Sequence, residues 1–262
     1  YYKTYFFAAL FNSIIDNTDK VAGYFGECGR LGIKVLPPHV NHSRYRFAAE
    51  DDNIRFGLGA VRNVGRSFAE EIFKEREENG KFSSPGDFIR RMTGKDINKR
   101  AVSELILGGA LDNLGPCRAQ MQGAYENIMA AASYESKHNA AGQISLFDVS
   151  EEVITKDDYP NIKEYDHKTL LAYEKEAVGI YVTGHPLDEY RQLLERAADT
   201  KISEIKNEDE SFDGRKVKIA GMVAARKNKV TKNNTQMAFL TFEDLSGSIE
   251  VIVFPKTLIT YD

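Results

Sequence analysis

The 262-residue sequence has no run of about 18 apolar residues; its apolar patches are broken by Asn, Asp or Gly, so no segment is expected to span a membrane. It has only two cysteines, Cys28 and Cys117, far apart and without metal-ligand spacing, as expected of reduced, partly buried thiols in the cytosol. Tyr1-Tyr2-Lys3 carries neither an initiator Met nor a signal-peptide pattern, and that start reads as a cut out of something longer. No P-loop and no dinucleotide fingerprint occur. Asp51-Asp52 and Asp157-Asp158 stand in turn-like polar segments, where paired carboxylates are expected to be solvated. His39-x-x-His42 lies in a Pro-rich extended segment with no matching Cys or His nearby, which argues against a metal site. His185 before Pro186 reads as a capping or packing residue. No catalytic residue, metal or cofactor is therefore assigned to this stretch.

What is present is local positive charge on a chain of net charge −4. From Arg215 to Lys232 there are seven basic residues and no acidic one, and from Ile54 to Arg66 three arginines and no acid. Between Asp148 and Glu176 nine acidic residues face four lysines. Separate basic stretches on a mildly acidic protein suit a polyanion gripped at several places, although any one run also fits a solvated face.

Periodicity predicts a mostly helical first part. Thr4 to Ile15 is apolar nearly all round, as in a helix buried within a larger body, and Asp16 to Asp19 caps a second helix through about Leu31. Pro37-Pro38 forces an extended segment ending near Ser43. A β-hairpin is expected over Tyr45 to Ala49 and Ile54 to Phe56, turning at Asp51 to Asn53. Helices follow at Ser67–Glu78, Asp87–Met92, from Asn98 to Gly108-Gly109, and at Arg118–Ser136. Residues 137 to 160 read as an exposed connection, followed by helices at Lys168–Val178 and Leu187–Ala198. The period then changes to strands at Val217–Val223, Met237–Phe242 and Ile249–Phe254, the opening of a small barrel.

Four motifs carry binding chemistry. Asn63-Val64-Gly65 before a helix resembles a helix-hairpin-helix turn, whose backbone N–H groups hold a phosphate while the apolar residue plugs the core. Arg62 and Arg66 flank it, and Asn63, where a glycine is usual, tolerates the left-handed conformation. Asn98-Lys99-Arg100 combines a helix cap with two cations that oppose the helix dipole unless an anion lies between them. Gln143-Ile144-Ser145-Leu146-Phe147 sets an apolar pair in the polar connection, fitting either a partner's pocket or packing onto this chain. Arg226, Lys227, Lys229 and Lys232 are expected in the loop joining the first two barrel strands, with Phe239 and Phe242 as stacking surfaces or core.

Five blocks in order carry a family resemblance: Leu36-Pro37-Pro38 with Val40-Asn41 and Arg55 to Val61; Asn98-Lys99-Arg100 with Gly109 to Asp112; Gly142 to Phe147; Glu174-Lys175-Glu176 with Gly179 to Leu187; and Leu240 to Asp244 with Gly247 to Val251. Together they resemble the C-terminal half of the bacterial DNA polymerase III alpha-subunit family of the DnaE type. The fold this implies is multidomain α+β: a mainly helical part with tandem helix-hairpin-helix, then the first strands of an OB-type barrel. Residues 1–43 would end the fingers domain, 44–200 form the clamp-binding domain, and 201–262 hold a linker and an incomplete OB domain. The resemblance makes Gln143 to Phe147 the clamp-binding pentapeptide. It implies duplex DNA, single-stranded template, the sliding clamp and other replisome subunits as partners, in the cytoplasm. The polymerase aspartates and their magnesium belong to a palm not in this sequence, so the stretch is expected to be inactive alone. His39 and Asn63 depart from the family's acidic residue and first hairpin glycine. The competing classes are a stand-alone clamp-binding adapter and an OB-type RNA-binding protein.

Overall fold

A computed structural model describes residues 2–15, 18–140, 157–207, 212–231 and 234–261. It falls into two compact units, Tyr1–Thr183 and Gly184–Asp262. In the first, helices α1 (Lys3–Ser13) and α2 (Thr18–Arg30) precede a three-stranded sheet of β1 (Val35–Leu36), β2 (Ala48–Glu50) and β3 (Asn53–Arg55). The strand order is β1-β3-β2, with β1 parallel and β2 antiparallel to β3. The expected hairpin is present but short, and the Asp51 turn residue has φ of 52°. Aromatic side chains join this sheet to the helices: Phe47 lies 5.1 Å from Phe11 and 4.6 Å from Phe56, centroid to centroid. Such pairs add about 0.5–1.5 kcal/mol each beyond the area they bury.

α1 is buried on one face only. Phe7, Ala8 and Phe11 enter the core, whereas Tyr5 and Phe6 are about two-thirds exposed. Within this chain the helix packs against one layer and buries a stripe, leaving its other aromatic side chains exposed.

Next come α3 (Arg66–Asn79), α4 (Pro85–Met92), α5 (Lys99–Leu107), α6 (Arg118–Ala140) and α7 (His167–Val178). α3 closes at Gly80, whose φ is 80°. α4 starts with a Ser84 cap that accepts the Asp87 N–H, and Pro85 follows it. Phe68, Phe82 and Phe88 pack between α3 and α4. The end of the expected connection is fastened rather than exposed. Asp157 pairs with Arg90 at 2.6 Å, and Glu164 accepts the N–H groups of Arg118 and Ala119 at the start of α6. Four uncapped N–H groups at a helix start need such a partner, and Glu164 supplies it from a distance in sequence.

Buried Glu174 on α7 accepts the N–H groups of Val182 and Thr183 and the Thr183 hydroxyl. This carboxylate orders the segment after Gly179, which ends α7 in the left-handed conformation.

The second unit contains α8 (Arg191–Ala197), α9 (Ile202–Asn207), strands β4 (Met222–Val230), β5 (Gln236–Asp244) and β6 (Gly247–Val253), and α10 (Pro255–Tyr261). The strands form an antiparallel meander, β4-β5-β6. The α+β class is as read: a helical body followed by a three-strand antiparallel sheet. The first strand lies further along than Val217–Val223, because the Lys218 backbone pairs with Asp199 and Thr200 instead of β5. Buried Asp244 accepts from Ser246 and Gly247 in the β5–β6 turn and from the Ile202 N–H, so one carboxylate seats both that turn and α9.

Candidate nucleic-acid interface

The first hairpin runs from a 3-10 turn at Leu58–Ala60 into α3. Asn63 adopts φ of 60°, the left-handed conformation its amide tolerates. Val64 is buried as the plug. Gly65 is the N-cap of α3 in extended conformation, and no side-chain oxygen caps this helix. A methyl group added at Gly65 would meet nothing within 4 Å, so the backbone is open to close approach. Uncapped first-turn N–H groups and the positive end of the helix dipole then favour an anion.

A second hairpin repeats this plan between α4 and α5. Gly94 and Asp96 have φ of 87° and 56°, Ile97 follows half-buried, and Asn98 is the N-cap of α5. Asp96-Ile97-Asn98-Lys99 thus matches Asn63-Val64-Gly65-Arg66 position for position. Asn98 Oδ1 accepts the Ala101 N–H at 2.9 Å, so the cap read from the sequence is formed. Gly94, Lys95 and Asp96 were missed as hairpin residues. Their signal was the spacing of a turn-former, an apolar residue and a cap ahead of a cation.

Side chains tie the repeats together. Ser67 Oγ donates to Asp96 Oδ2 at 2.8 Å, and Asn63 Nδ2 donates to Glu104 Oε1 at 3.1 Å. Buried Glu75 on α3 holds Lys95 of the second hairpin and Arg91 of α4. Burial opposes its ionisation, but the hydrogen bonds from Lys95, Arg91 and Asn79 win, and its pKa is lowered. Glu104 shifts the other way: burial raises its pKa and the Asn63 hydrogen bond only partly offsets that. The Arg62 N–H donates to the Ala177 carbonyl, fixing the hairpin to α7.

The cations at these turns are exposed. Arg62 lies 3.7 Å from Glu176, and Arg66 pairs with Glu70 at 2.8 Å. The expected Lys99 and Arg100 pair is not two bare charges: Lys99 pairs with Glu126 of α6, while Arg100 has no partner among the described residues. Exposed pairs of this kind are worth about 0–1 kcal/mol, little enough to be exchanged for a phosphate contact.

In the second unit Arg226, Lys227 and Lys229 lie on β4, not in a loop. β4 pairs with β5 as far as Val230↔Gln236, so these three cations lie within the paired strand. Lys227 pairs opposite Phe239 and Lys229 opposite Met237, on the face that also carries exposed Ile252. Arg226 shares the other face with Leu240 and buried Ala238, and so does Phe242. Lys232 and the pentapeptide Gln143 to Phe147 lie outside the described residues. Among the described residues no group of His, Cys, Asp or Glu is arranged to hold a metal ion, and no helix is long and apolar enough to cross a membrane.

Two repeats of a positive-φ turn, an apolar residue and a helix N-terminus, uncapped by any side chain in α3 and capped by Asn98 in α5, make up a tandem helix-hairpin-helix unit. A family model described as "Helix-hairpin-helix motif" matches residues 32–121. Along its length the chain is similar to the DNA polymerase III subunit alpha of several bacteria. It is 37% identical to that of Vibrio cholerae over all of the chain and 22% of the relative. For Escherichia coli K12 the identity is 34% over all of the chain and 23% of the relative. For Thermus aquaticus it is 40% over 98% of the chain and 21% of the relative. The family resemblance carried by the five sequence blocks therefore holds along the whole chain, which spans about a fifth of these relatives' length.

Proposed function

We propose that this chain is a DNA-gripping and clamp-docking part of a bacterial replicative DNA polymerase. The observation that carries the reading is the repeated hairpin, which sets two helix N-termini and their flanking cations on one cross-linked frame. Backbone N–H groups, Arg62, Arg66, Lys99 and Arg100 would take phosphates of duplex DNA without reading its sequence. Gln143 to Phe147 would dock on the sliding clamp, a role supported by their sequence. Joining two weak contacts raises the effective concentration of each, so the pair exceeds either by about 10²–10⁴. The polymerase reaction and its magnesium would belong to the palm of the parent enzyme in the cytoplasm, and this chain alone would be inactive.

The test is calorimetric titration of a bacterial sliding clamp into the chain and into Leu146→Ala/Phe147→Ala, with duplex binding followed by anisotropy. The double variant is expected to lose clamp binding and keep duplex affinity. Clamp binding undiminished in the variant would remove the pentapeptide from this role, and an absence of duplex binding by the parent chain would sink the DNA reading.

A further inference from the structure

Beside the first hairpin lies an open depression of about 410 Å³ lined by Asn12, Arg44, Tyr45, Arg46, Arg66 and Phe73, among others. Its walls are fixed to the hairpin. The Leu58 and Gly59 N–H groups donate to the Arg44 and Tyr45 carbonyls at 2.8 and 2.9 Å, so residues 44 to 46 run along the 3-10 turn that opens the motif. Asn12 holds the next residue from the other side, accepting the Phe47 N–H and donating to its carbonyl. Only glycine fits opposite: a methyl at Gly59 would come within 2.2 Å of the Tyr45 ring, and one at Gly57 within 2.6 Å of the Arg46 backbone. Tyr45 is thereby held as a fixed platform.

Three guanidinium groups surround it. Arg44 stands 5.2 Å over the Phe73 ring, a geometry that orients a guanidinium without neutralising it, and Arg66, ion-paired with Glu70, lies 5.7 Å over Tyr45. Arg46 is exposed and has no partner among the described residues. Glu70, on Arg66, is the one acid in the lining. Gathering like charges costs self-repulsion, which an anion relieves, and Arg66 belongs both to this depression and to the first turn of α3.

We propose that the depression takes the phosphodiester backbone of the duplex held by the hairpins, with Arg44 and Arg46 on phosphates and Tyr45 against the sugar edge. This rests on the duplex-binding reading and extends its footprint beyond the two hairpins. Each phosphate neutralised adds about 0.9 to the slope of log affinity against log salt. The experiment measures duplex affinity by anisotropy from low to moderate salt for the parent chain, Arg44→Gln/Arg46→Gln and Arg44→Lys/Arg46→Lys. The Gln pair is expected to lower the salt slope by about 2 and the affinity roughly tenfold or more, while the Lys pair keeps the slope. Arg46→Gln alone, at a residue without a partner to lose, should remove about 1. A Gln pair with the parent's slope overturns the proposal and leaves the hairpins as the grip. A Lys pair that loses as much as the Gln pair overturns it too, because the arginines then act by packing. If the parent chain binds no duplex at all, the underlying reading fails instead.

Discussion

At the scale of single residues, this protein spends its charged groups on holding backbone in place. Arg76 is buried and donates to the carbonyls of Val40 and Ser43, and Arg55 clasps Glu50 and the Pro37 carbonyl. Removing one partner of such a set leaves the other buried and unpaired, which costs more than the bond contributes. The same segment carries a titratable group whose state depends on the fold. His39 is pushed down to about 4, by burial first and then by His42, with Asp112 pulling weakly the other way. Its Nδ1 accepts the Asn41 N–H, a bond available only to the neutral ring. Between about pH 6.5 and 4 the unfolded chain binds a proton that the folded chain refuses. Stability therefore rises with pH across that window, is fully present above 6.5 and is lost towards 4. Because the ring is partly exposed and screened by solvent, the expected loss from pH 7 to pH 4 attributable to His39 is smaller than the full shift would give, about 1–2 kcal/mol. Urea unfolding at several pH values should show a steeper acid loss for the parent chain than for His39→Gln; equal slopes would mean that His39 titrates alike in both states.

At the scale of elements, the two hairpins show what a helix start can be made to do. Asn98 closes the first turn of α5 with its own side chain, whereas Gly65 leaves that of α3 without a capping oxygen. A serine at position 65 fits the extended backbone and has room. Gly65→Ser is therefore expected to stabilise the chain by a few tenths of a kcal/mol, because Ser and Gly differ little as caps. It should weaken duplex binding several-fold, since the hydroxyl occupies the N–H that a phosphate would use. Thermal unfolding and anisotropy on the same variant separate the two effects, and unchanged binding would move the phosphate away from this turn. The first hairpin was legible because Asn63-Val64-Gly65 states its turn chemistry in three residues. The second was only half legible. Asn98 as a cap was plain, but Gly94 and Asp96 looked like an ordinary turn until their match to the first repeat was visible in the backbone. The misplaced β4 has a different cause. Val217 to Val223 alternates well, yet the strand Gln236 to Asp244 pairs with the charged stretch Met222 to Val230 instead. Pairing partners decide such a register, and no local periodicity contains them. The two-residue β1 and the cap supplied by Glu164 were hidden for the same reason, being contacts between distant parts of the chain.

At the scale of the whole molecule, the proposed function would have the two units offer different surfaces to one polyanion. The helical unit presents turns suited to phosphates of a duplex. The sheet presents Lys227 and Lys229 beside Phe239 on one face of β4 and β5, cations next to a ring on which a base can stack. The sequence had paired Phe239 with Phe242 as possible stacking surfaces; strand alternation separates them and leaves Phe239 with the lysines. A ligand with a duplex and a single-stranded extension would engage both units of one chain, and the second contact would form at the effective concentration set by their connection. A duplex bearing a long 5′ overhang is thus expected to bind on the order of 10²-fold more tightly than the blunt duplex. Lys227→Glu/Lys229→Glu should remove most of that gain and leave blunt-duplex affinity unchanged, because neither residue is in the hairpin unit. Competition anisotropy with the two DNAs reads both numbers from one chain. If the overhang adds nothing to the parent chain, the sheet is free of template and its exposed face serves another contact. If it adds affinity that survives the double substitution, the single strand is held elsewhere, and the open face of β4 is ordinary solvated surface.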